Sequence, residues 1–499
     1  MGYSFKRQKV ERDCSMHVYT ILLSTIILLN IIFAFLVIFF ERKDPIATWA
    51  WLMVLTFIPI LGFILYLLIG QNLRNRKMFQ WDERKKLGIE QVLASQLLQI
   101  SSNQLRTTNN VIKKNQDLIY MNLFNNDAVL TENNAVDIFT DGKEKFDQLL
   151  LDIKAAKKSI HLQYYIFKND GIGSKLITAL TEKAKEGLEV RLLYDELGSR
   201  TLRKRAFKEL TAAGGKVAVF FPSKFHLINL RMNYRNHRKL AIIDGQTGYI
   251  GGFNVGDEYL GLNPKFGYWR DTHLRIVGTA IYAIQTRFIL DWNQAAPHHE
   301  IHYSPDYFPG KLDEIVGNIG MQIVSSGPNS EWEQIKNGYI KMITAAKESV
   351  FIQTPYFIPD TSLLDTLRIA ALSGVDVKIM IPNKPDHMFV YWATYSYIGE
   401  MLKAGAKVYI YENGFIHAKT LLVDSKISSV GTANIDMRSF RLNFEVNAFI
   451  YSEEISTTLT NGFLEDMKLC TPLTLDSYSK RSLWIKFKES FSRLLSPLL

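Results

Sequence analysis

The sequence predicts an α/β fold of two similar halves related by a pseudo-two-fold axis, preceded by a transmembrane hairpin of two apolar helices. Three observations lead to this prediction. Two long uncharged runs lie near the start of the chain, strand-like and helix-like segments alternate after residue 150, and that alternation recurs later in the chain. With 499 residues, the chain is also long enough for more than one domain.

The predicted hairpin consists of two uncharged segments, residues 18–40 and 46–69. An apolar helix needs about 20 residues to cross the hydrocarbon core of a bilayer, so both segments qualify as spanning helices. A cleaved signal peptide is a less favoured interpretation of the first segment, because its apolar stretch is long and a second one follows at once. A buried core hairpin is the other alternative.

Positive charges orient this hairpin. Lysine and arginine are frequent in residues 1–17 and again after residue 73, whereas the connection over residues 41–45 carries only Arg42 and Lys43. The positive-inside rule then places both ends, and everything after residue 70, in the cytoplasm. We expect a cytoplasmic tail at the N-terminus and a partly helical linker over residues 71–130.

The same order of elements occurs twice after residue 150. Three pairs of segments match: 159–167 with 349–357, 187–194 with 374–381, and 214–220 with 404–411. A repetition after about 190 residues indicates a duplicated domain rather than a solenoid. We expect a first half over residues 131–315 and a second half over residues 316–470, with a site on the face that they share.

A further repeated block carries the chemistry. It reads His237-Arg-Lys239-Leu-Ala-Ile-Ile-Asp244 in the first half and His417-Ala-Lys419-Thr-Leu-Leu-Val-Asp424 in the second. Each copy continues, after six residues, with a glycine, a small residue, one further residue and an asparagine: Gly252 and Asn254 in the first half, Thr432 and Asn434 in the second. One such motif is a weak signal, but two copies at matched places in a repeat are a strong one.

A histidine and a lysine two residues apart on a strand point to the same face. Two such strands meeting across a pseudo-two-fold axis would bring two imidazoles and two ammonium groups around one point. This arrangement suits a phosphodiester, because one histidine attacks phosphorus while the other protonates the leaving oxygen. The lysines and asparagines would hold the non-bridging oxygens, and no metal ion or other cofactor is required.

Four acidic residues accompany the motifs. Asp244 and Asp424 follow their lysines by five positions and so face the opposite side of the strand, where we expect them to satisfy turn or backbone donors. Each histidine should also have a carboxylate that fixes its tautomer. The candidates are Asp271 in the first half and Glu445 in the second, with a surface salt bridge as the alternative role.

The paired motifs resemble the HxKxxxxD motifs of the phospholipase D superfamily, over most of residues 130 to 470. The leading hydrophobic segments and the chain length are similar to those of the bacterial cardiolipin synthases. The resemblance implies that the six motif residues are catalytic: His237, Lys239, Asp244, His417, Lys419 and Asp424. It implies supporting roles for Gly252, Asn254, Thr432 and Asn434, although Gly252 departs from the pattern because it has no hydroxyl.

The resemblance further implies a phosphatidyltransferase of the bacterial cell membrane that makes cardiolipin from two phosphatidylglycerol molecules. It suggests His237 as the nucleophile, which forms a phosphatidyl-histidine, and His417 as the acid and base. The residues themselves do not rank the two histidines, because the halves are so alike. Anionic membrane lipid is the expected partner.

Alternatives of other classes remain. A phospholipase D hydrolase would use the same residues with water as the acceptor. A phosphodiesterase or nuclease is disfavoured by the two apolar segments and by the lack of a basic and aromatic nucleic-acid motif, so no nucleic-acid partner is expected. Two intact motifs weigh against a non-catalytic membrane scaffold.

The composition agrees with these expectations. Hydrophobic residues make up 47% of the chain, charged residues 22%, and the formal net charge is +10. A basic balance fits nucleic acid, an anionic membrane or phosphorylated small molecules. Cys14 and Cys470 are too few for a disulfide framework or a cysteine metal cluster, so a reducing setting fits.

Two segments outside the motifs combine apolar and basic residues. Roughly residues 222–236 form either a loop that dips into an anionic bilayer or an ordinary packed loop. Near the C-terminus, residues 480–499 place Leu483, Phe487 and Phe491 on one stripe, with basic residues mostly off it. This pattern predicts either an interfacial helix or a helix that packs on the catalytic domain.

Overall fold

The computed structural model describes residues 16–22, 24–25, 27–32, 35, 45–66, 78–79, 81–222, 233–309 and 317–497. Contacts divide the chain into two compact units. The first comprises residues 1–73 and 223–233, and the second comprises residues 74–222 and 234–499. Residues 223–232 of the predicted apolar and basic loop lie outside the described residues.

The first unit contains two described helices, α1 (Pro45–Phe57) and α2 (Pro59–Leu65), within the second apolar segment. The helix is interrupted at Ile58 because Pro59 disfavours the helical conformation of the residue before it. Trp51 and Tyr66 pack edge to face across this break, with ring centroids 5.0 Å apart. Among the described residues, no helix is both long enough and apolar enough to span a bilayer. The first apolar segment, 18–40, is described only in part.

The second unit is built on one large sheet of 16 strands and two small two-stranded sheets. Its strands are β1 (Thr131–Phe139), β2 (Ser159–Tyr164), β3 (Glu189–Asp195), β4 (Lys216–Phe220), β5 (Arg235–Asn236), β6 (Leu240–Ile243), β7 (Thr247–Gly251), β8 (Trp269–Arg270), β9 (His273–Val277), β10 (Ile319–Ser326), β11 (Ser349–Gln353), β12 (Phe357–Ile358), β13 (Asp376–Pro382), β14 (Lys407–Tyr411), β15 (Phe415–Ile416), β16 (Thr420–Val423), β17 (Ile427–Gly431), β18 (Ile435–Asp436), β19 (Asn443–Tyr451) and β20 (Cys470–Leu473). Along the large sheet the order is β20, β14, β13, β11, β16, β17, β19, β10, β1, β9, β7, β6, β2, β3 and β4. In the small sheets β12 pairs with β18, and β15 pairs with β8.

This strand order shows the duplication directly. In the first half β2, β3 and β4 are parallel, and β6, β7, β9 and β1 continue the sheet in antiparallel fashion. The second half repeats this arrangement with β11, β13, β14, β16, β17, β19 and β10. The halves join where β1 pairs antiparallel with β10. The predicted α/β fold with two similar halves is therefore confirmed.

Helices cover the sheet. They are α3 (Ile89–Ser101), α4 (Asn110–Lys114), α5 (Gln116–Asn126), α6 (Gly142–Ala155), α7 (Gly171–Lys185), α8 (Lys208–Ala212), α9 (Ile281–Ala295), α10 (Gln334–Ala345), α11 (Thr361–Leu372), α12 (Met388–Lys403), α13 (Met437–Arg441), α14 (Glu453–Met467), α15 (Leu475–Ser479) and α16 (Leu483–Leu494). Apolar residues of α6, α7 and α8 lie in a core of the first half, and those of α3, α5, α10, α11 and α12 lie in a core of the second, as amphipathic patterning requires.

Part of the segment predicted as a linker belongs to the core of the second half. Leu93 of α3 and Leu123 of α5 are buried in the same cluster as Tyr339 of α10. Asn122, which is fully buried on α5, donates a hydrogen bond to Gln322 of β10 at 3.2 Å. Helices α3, α4 and α5 are therefore structural elements of the second unit.

Two short parallel pairings cross between the halves. Strand β5 of the first half pairs with β19 of the second, and β15 of the second half pairs with β8 of the first. Each crossing strand comes immediately before a motif histidine. These pairings decide which side chains meet between the two halves.

Candidate active site

The crossing strands fix the backbone of both motif histidines. The amide of His237 donates to the carbonyl of Phe444 at 3.0 Å, and the amide of His417 donates to the carbonyl of Arg270 at 2.7 Å. The histidine of each half is thereby held against a strand of the other half. The histidine and lysine of each motif lie just before β6 or β16 rather than within the strand, and the apolar residues of the motif form the strand.

Each imidazole contacts a buried carboxylate from the opposite half. Nδ1 of His237 lies 3.0 Å from Oε2 of Glu445, and Nδ1 of His417 lies 2.7 Å from Oδ2 of Asp271. Asp271 and Glu445, the two carboxylates expected from the sequence, therefore contact the histidines, and each contacts the histidine of the other half. With Nδ1 engaged, Nε2 is the ring nitrogen left to face a substrate.

The motif lysines lie beside these pairs. Nζ of Lys239 donates to the carbonyl of His237 at 2.5 Å, and Nζ of Lys419 donates to the carbonyl of His417. Nζ of Lys419 is also 3.7 Å from Oδ2 of Asp271. Burial lowers the pKa of Lys239, and the positive charge of Lys419 acts in the same direction. The two motif lysines and the two carboxylates thus surround the imidazoles.

Burial sets the protonation of the site. Loss of solvent lowers the pKa of His237 and of His417 to about 4 each, and the neighbouring lysines act in the same direction. Burial lowers the pKa of Lys419 to about 8. Although burial opposes it, the neighbouring histidine and lysine keep the pKa of Glu445 below its ordinary value. At neutral pH both histidines are neutral, and a bound anion would favour their protonation.

The two small positions support the carboxylates differently. The Thr432 hydroxyl donates to Oε2 of Glu445 at 2.5 Å and accepts from the amide of Val446 at 2.9 Å. In the first half, a Cβ added to Gly252 would lie 1.9 Å from Oδ1 of Asp271, so the glycine makes room for that carboxylate. Oδ1 of Asp271 accepts instead from the amide of Thr272 at 2.7 Å.

The two asparagines are buried in the loops behind the site. Asn254 accepts from the amide of Ile166 at 3.0 Å and donates to the hydroxyl of Tyr259 at 3.2 Å. Asn434 donates to Oδ2 of Asp436 at 3.0 Å. An amide nitrogen carries two hydrogens, so each asparagine keeps one further donor.

Asp244 and Asp424 follow the last residues of β6 and β16, at the end of each strand away from the motif histidine. Asp244 accepts hydrogen bonds from three successive backbone amides at 2.7–2.9 Å, those of Lys157, Lys158 and Ser159. Asp424 accepts in the same way from Lys347, Glu348 and Ser349 at 2.8–2.9 Å. These bonds fasten the starts of β2 and β11. They agree with the role expected from strand geometry.

Two aromatic rings beside the histidines were missed in the sequence. The ring centroid of Tyr165 lies 4.9 Å from that of His237, and the centroid of Trp269 lies 5.1 Å from that of His417. In the alignment of the two halves Tyr165 corresponds to Pro355, so the repeated pattern could not predict an aromatic ring at this position.

A buried carboxylate also lies behind each motif. Asp291 accepts from Arg238 at 2.7 Å, and Asp466 accepts from Arg270 at 3.1 Å. Gln163 of β2 and Gln353 of β11 occupy equivalent positions in the two halves. Gln163 donates to Asp291 at 2.6 Å, and Gln353 donates to Asp466 at 2.8 Å. A repeated Phe-x-x-Asp pattern ends at these two aspartates, and would have pointed to them in the sequence.

Comparison with known proteins agrees with this geometry. Residues 149–269 and 339–467 match the family described as "Cardiolipin synthase, PLD-like domain", and residues 28–71 match the one described as "Phospholipase D-nuclease N-terminal". The chain is 66% identical to the major cardiolipin synthase ClsA of Bacillus subtilis, over 97% of this chain and 100% of that protein. It is 58% identical to the cardiolipin synthase of Listeria welshimeri, over 96% of this chain and 99% of that protein.

Among solved structures, a phosphatidylserine synthase from Haemophilus influenzae shares the fold, with a TM-score of 0.59 at 15% identity. The match covers 77% of this chain and all of that one. Full-length similarity to the curated relatives and the duplicated PLD-like domains lead to one conclusion. The chain belongs to the cardiolipin synthase family of the phospholipase D superfamily.

Proposed function

We propose that the protein synthesises cardiolipin by transferring a phosphatidyl group from one phosphatidylglycerol to another, with release of glycerol. The observation that carries this proposal is the pair of imidazoles, one from each half, each held through Nδ1 by a buried carboxylate beside a lysine. Similarity to relatives named cardiolipin synthase over nearly the whole chain supports the choice of substrate and product.

In the first step, Nε2 of His237 attacks phosphorus and the bond from phosphorus to the glycerol oxygen breaks. His417, protonated when the anionic substrate is bound, gives its proton to that oxygen. Lys239 and Lys419 stabilise the charge that develops on the non-bridging oxygens, with Asn254 and Asn434 in support. A phosphatidyl-histidine remains, and Asp271 and Glu445 keep the rings in position.

In the second step, a glycerol hydroxyl of another phosphatidylglycerol attacks the phosphorus. His417 takes up the hydroxyl proton, the bond from phosphorus to nitrogen breaks, and cardiolipin is released with both histidines restored. One phosphodiester replaces another, so the exchange requires no nucleotide. Exclusion of water from the intermediate decides between transfer and hydrolysis.

The acceptor is tested by incubating the purified full-length protein with labelled phosphatidylglycerol alone. Equal amounts of cardiolipin and free glycerol are expected, with phosphatidic acid as a minor product. Phosphatidic acid as the main product would make the protein a hydrolase of the same superfamily.

The proposal extends to the membrane. Two uncharged segments, 18–40 and 46–69, would form a hairpin in the bacterial cell membrane, with the tail over residues 1–17 and the catalytic halves, 131–315 and 316–470, in the cytoplasm. The match of residues 28–71 to an N-terminal family supports this assignment of the segment as a unit of its own.

Topology is tested by labelling cysteines from outside intact cells, after Cys14 and Cys470 have been replaced by serine. A cysteine introduced by Lys43→Cys should be labelled, and one introduced by Glu300→Cys should be protected until the cells are opened. The reverse pattern would contradict the orientation without affecting the enzyme assignment.

A further inference from the structure

The C-terminal helix α16 packs on the catalytic unit through its polar side. Glu489 and Ser492 are buried, with 3% and 1% of their surface exposed, and Ser496 just after the helix is 1% exposed. Arg493 of α16 forms an ion pair with Glu400 of α12 at 2.5 Å, and the hydroxyl of Tyr397 on α12 donates to Ser496 at 3.2 Å. These contacts hold α16 along α12.

The apolar side of the same helix points outward. The exposed fractions are 83% for Leu483, 63% for Trp484, 58% for Phe487, 49% for Phe491 and 78% for Leu494. A helix that only completes a core would turn these residues inward. Single exposed apolar residues are ordinary, but a contiguous stripe of large ones marks an interaction surface.

Two lysines border this stripe. Because successive residues turn by about 100° around a helix, Lys486 and Lys488 lie on opposite flanks of the stripe centred on Phe487. Nζ of Lys488 lies over the rings of Trp392 and Trp484, 5.1 and 5.5 Å from their centroids. Basic flanks beside an aromatic and leucine face are typical of a helix that lies in an anionic membrane surface.

The start of the stripe lies towards the candidate active site. Helix α16 runs parallel to α12, since Lys488 lies over Trp392 and the guanidinium of Arg493 lies over Tyr397, 4.4 Å from its centroid. At the shared N-terminal end, α12 begins with two exposed apolar residues, Met388 at 54% and Phe389 at 53%. Helix α12 follows the carboxyl end of β13. At this edge of the sheet, Gln353 of β11 pairs with Met380 of β13 and with Thr420, the residue after the site lysine Lys419.

We propose that α16 docks the catalytic unit on an anionic phospholipid bilayer. The stripe Leu483, Trp484, Phe487, Phe491 and Leu494 enters the headgroup region, and Lys486 and Lys488 contact lipid phosphates. Because the N-terminal end of α16 lies towards the candidate active site, this docking places the site next to the membrane surface that contains the substrate. This inference rests on the proposed function only in taking the substrate to be a membrane lipid.

The test uses the full-length protein, with Cys14 and Cys470 replaced by serine and Phe487→Cys carrying a fluorescent label. The labelled protein is reconstituted into phosphatidylglycerol–phosphatidylcholine vesicles that contain a lipid with a nitroxide on its acyl chain. Leu151→Cys, at a leucine of α6 that is 60% exposed, is the matched control. Nitroxide lipid should quench most of the fluorescence at 487 and little of it at 151. Equal quenching at the two positions would overturn the proposal.

The lipid charge is tested by Lys486→Glu combined with Lys488→Glu. These changes should reduce quenching at 487 in vesicles that contain phosphatidylglycerol. If a second copy of the chain covers the stripe instead, labels at 487 would show energy transfer to each other and no quenching by lipid, which would also overturn the proposal. Quenching requires no turnover, so lipid contact without cardiolipin formation would contradict the proposed function and leave the docking intact.

Discussion

Nδ1 of His237 lies 3.0 Å from a carboxylate oxygen of Glu445, although the two residues are 208 positions apart in the chain. His417 and Asp271, 146 positions apart, repeat this relationship in the opposite sense. Each half therefore contributes one histidine and the carboxylate of the other histidine. The two HxK motifs constitute one site that neither half contains by itself.

Loss of either histidine should abolish turnover. His237→Ala and His417→Ala each leave one intact motif, yet each removes a group that a shared site needs. The measurement is cardiolipin formation by purified variants, with the exposed His298→Ala as the matched control. About half the activity in each single variant would indicate two independent sites, as expected if each motif acted alone.

The two histidine roles should separate with a substrate that carries a better leaving group. Such a substrate needs less protonation, so it should partly rescue His417→Ala and allow the phosphatidyl group to be trapped on His237. Mass spectrometry of the protein would detect the adduct. Trapping on His417 in the His237→Ala variant would exchange the roles.

Glu445→Gln should lower kcat by about 10²-fold or more, because loss of the carboxylate that fixes the tautomer of a catalytic imidazole can cost about 10⁴-fold. The substituted amide keeps the shape but removes the charge that stabilises the His237 ring as it becomes positive on attacking phosphorus. Thr432→Val, which removes only the hydroxyl that donates to Glu445, should have a smaller effect of the same kind. An unchanged kcat with a lowered melting temperature would contradict the positioning role.

Asp244→Asn should weaken folding and leave the chemistry intact. Asparagine tolerates the positive φ of 54° at this position, so the substitution chiefly removes charge from three hydrogen bonds to the start of β2. A loss of about 1–3 kcal/mol in the free energy of unfolding is expected. Thermal unfolding and kcat at low temperature are the measurements, and a large fall in kcat with unchanged stability would support direct chemistry instead.

Gly252→Ala should displace the carboxylate of Asp271. A Cβ there would lie 1.9 Å from Oδ1 of Asp271, so that side chain must move away from His417. We expect a strong loss of kcat, whereas Gly187→Ala on the surface, where an added Cβ meets nothing within 4 Å, should affect only the turn and leave kcat near its original value. Equal effects of both substitutions would argue against the packing explanation.

The buried histidines predict a loss of stability in acid. Their pKa falls from 6.5 to about 4 on folding, so between these values the unfolded chain binds protons that the folded chain does not. Stability from this source is complete above about pH 6.5 and declines as the pH falls towards about 4. Replacing both His237 and His417 by Gln should reduce the drop in melting temperature over this range, and His298→Gln should not. An undiminished drop in the double variant would contradict the lowered pKa values.

The duplication was predictable because strands alternating with helices leave local patterns, and matched blocks such as 159–167 and 349–357 repeat them. The turn role of Asp244 followed from the two-residue period of a strand. The crossed pairing was not predictable in this way. Strands β5 and β15 are two residues long, too short for any periodicity, and their partners lie far away in the chain.

The helices before the first half were underestimated for a related reason. Residues 101–115 are polar, which suggested a linker, but Asn109 caps α4 and Asn122 binds Gln322 inside the core. A buried polar residue with a specific partner is indistinguishable from a solvated one in sequence. The orientation of α16 was likewise open, because a stripe predicts that one face is apolar without saying which face meets the protein.

The crossed strands also limit how such a gene can change by recombination. If one half were exchanged for that of a distant relative, the new histidine would face the original carboxylate of the other half, and the new carboxylate would face the original histidine. Both pairs would become hybrids in a single event. A substitution at Glu445 in the second half must therefore be compatible with His237 in the first half, so the sequences of the two halves constrain each other.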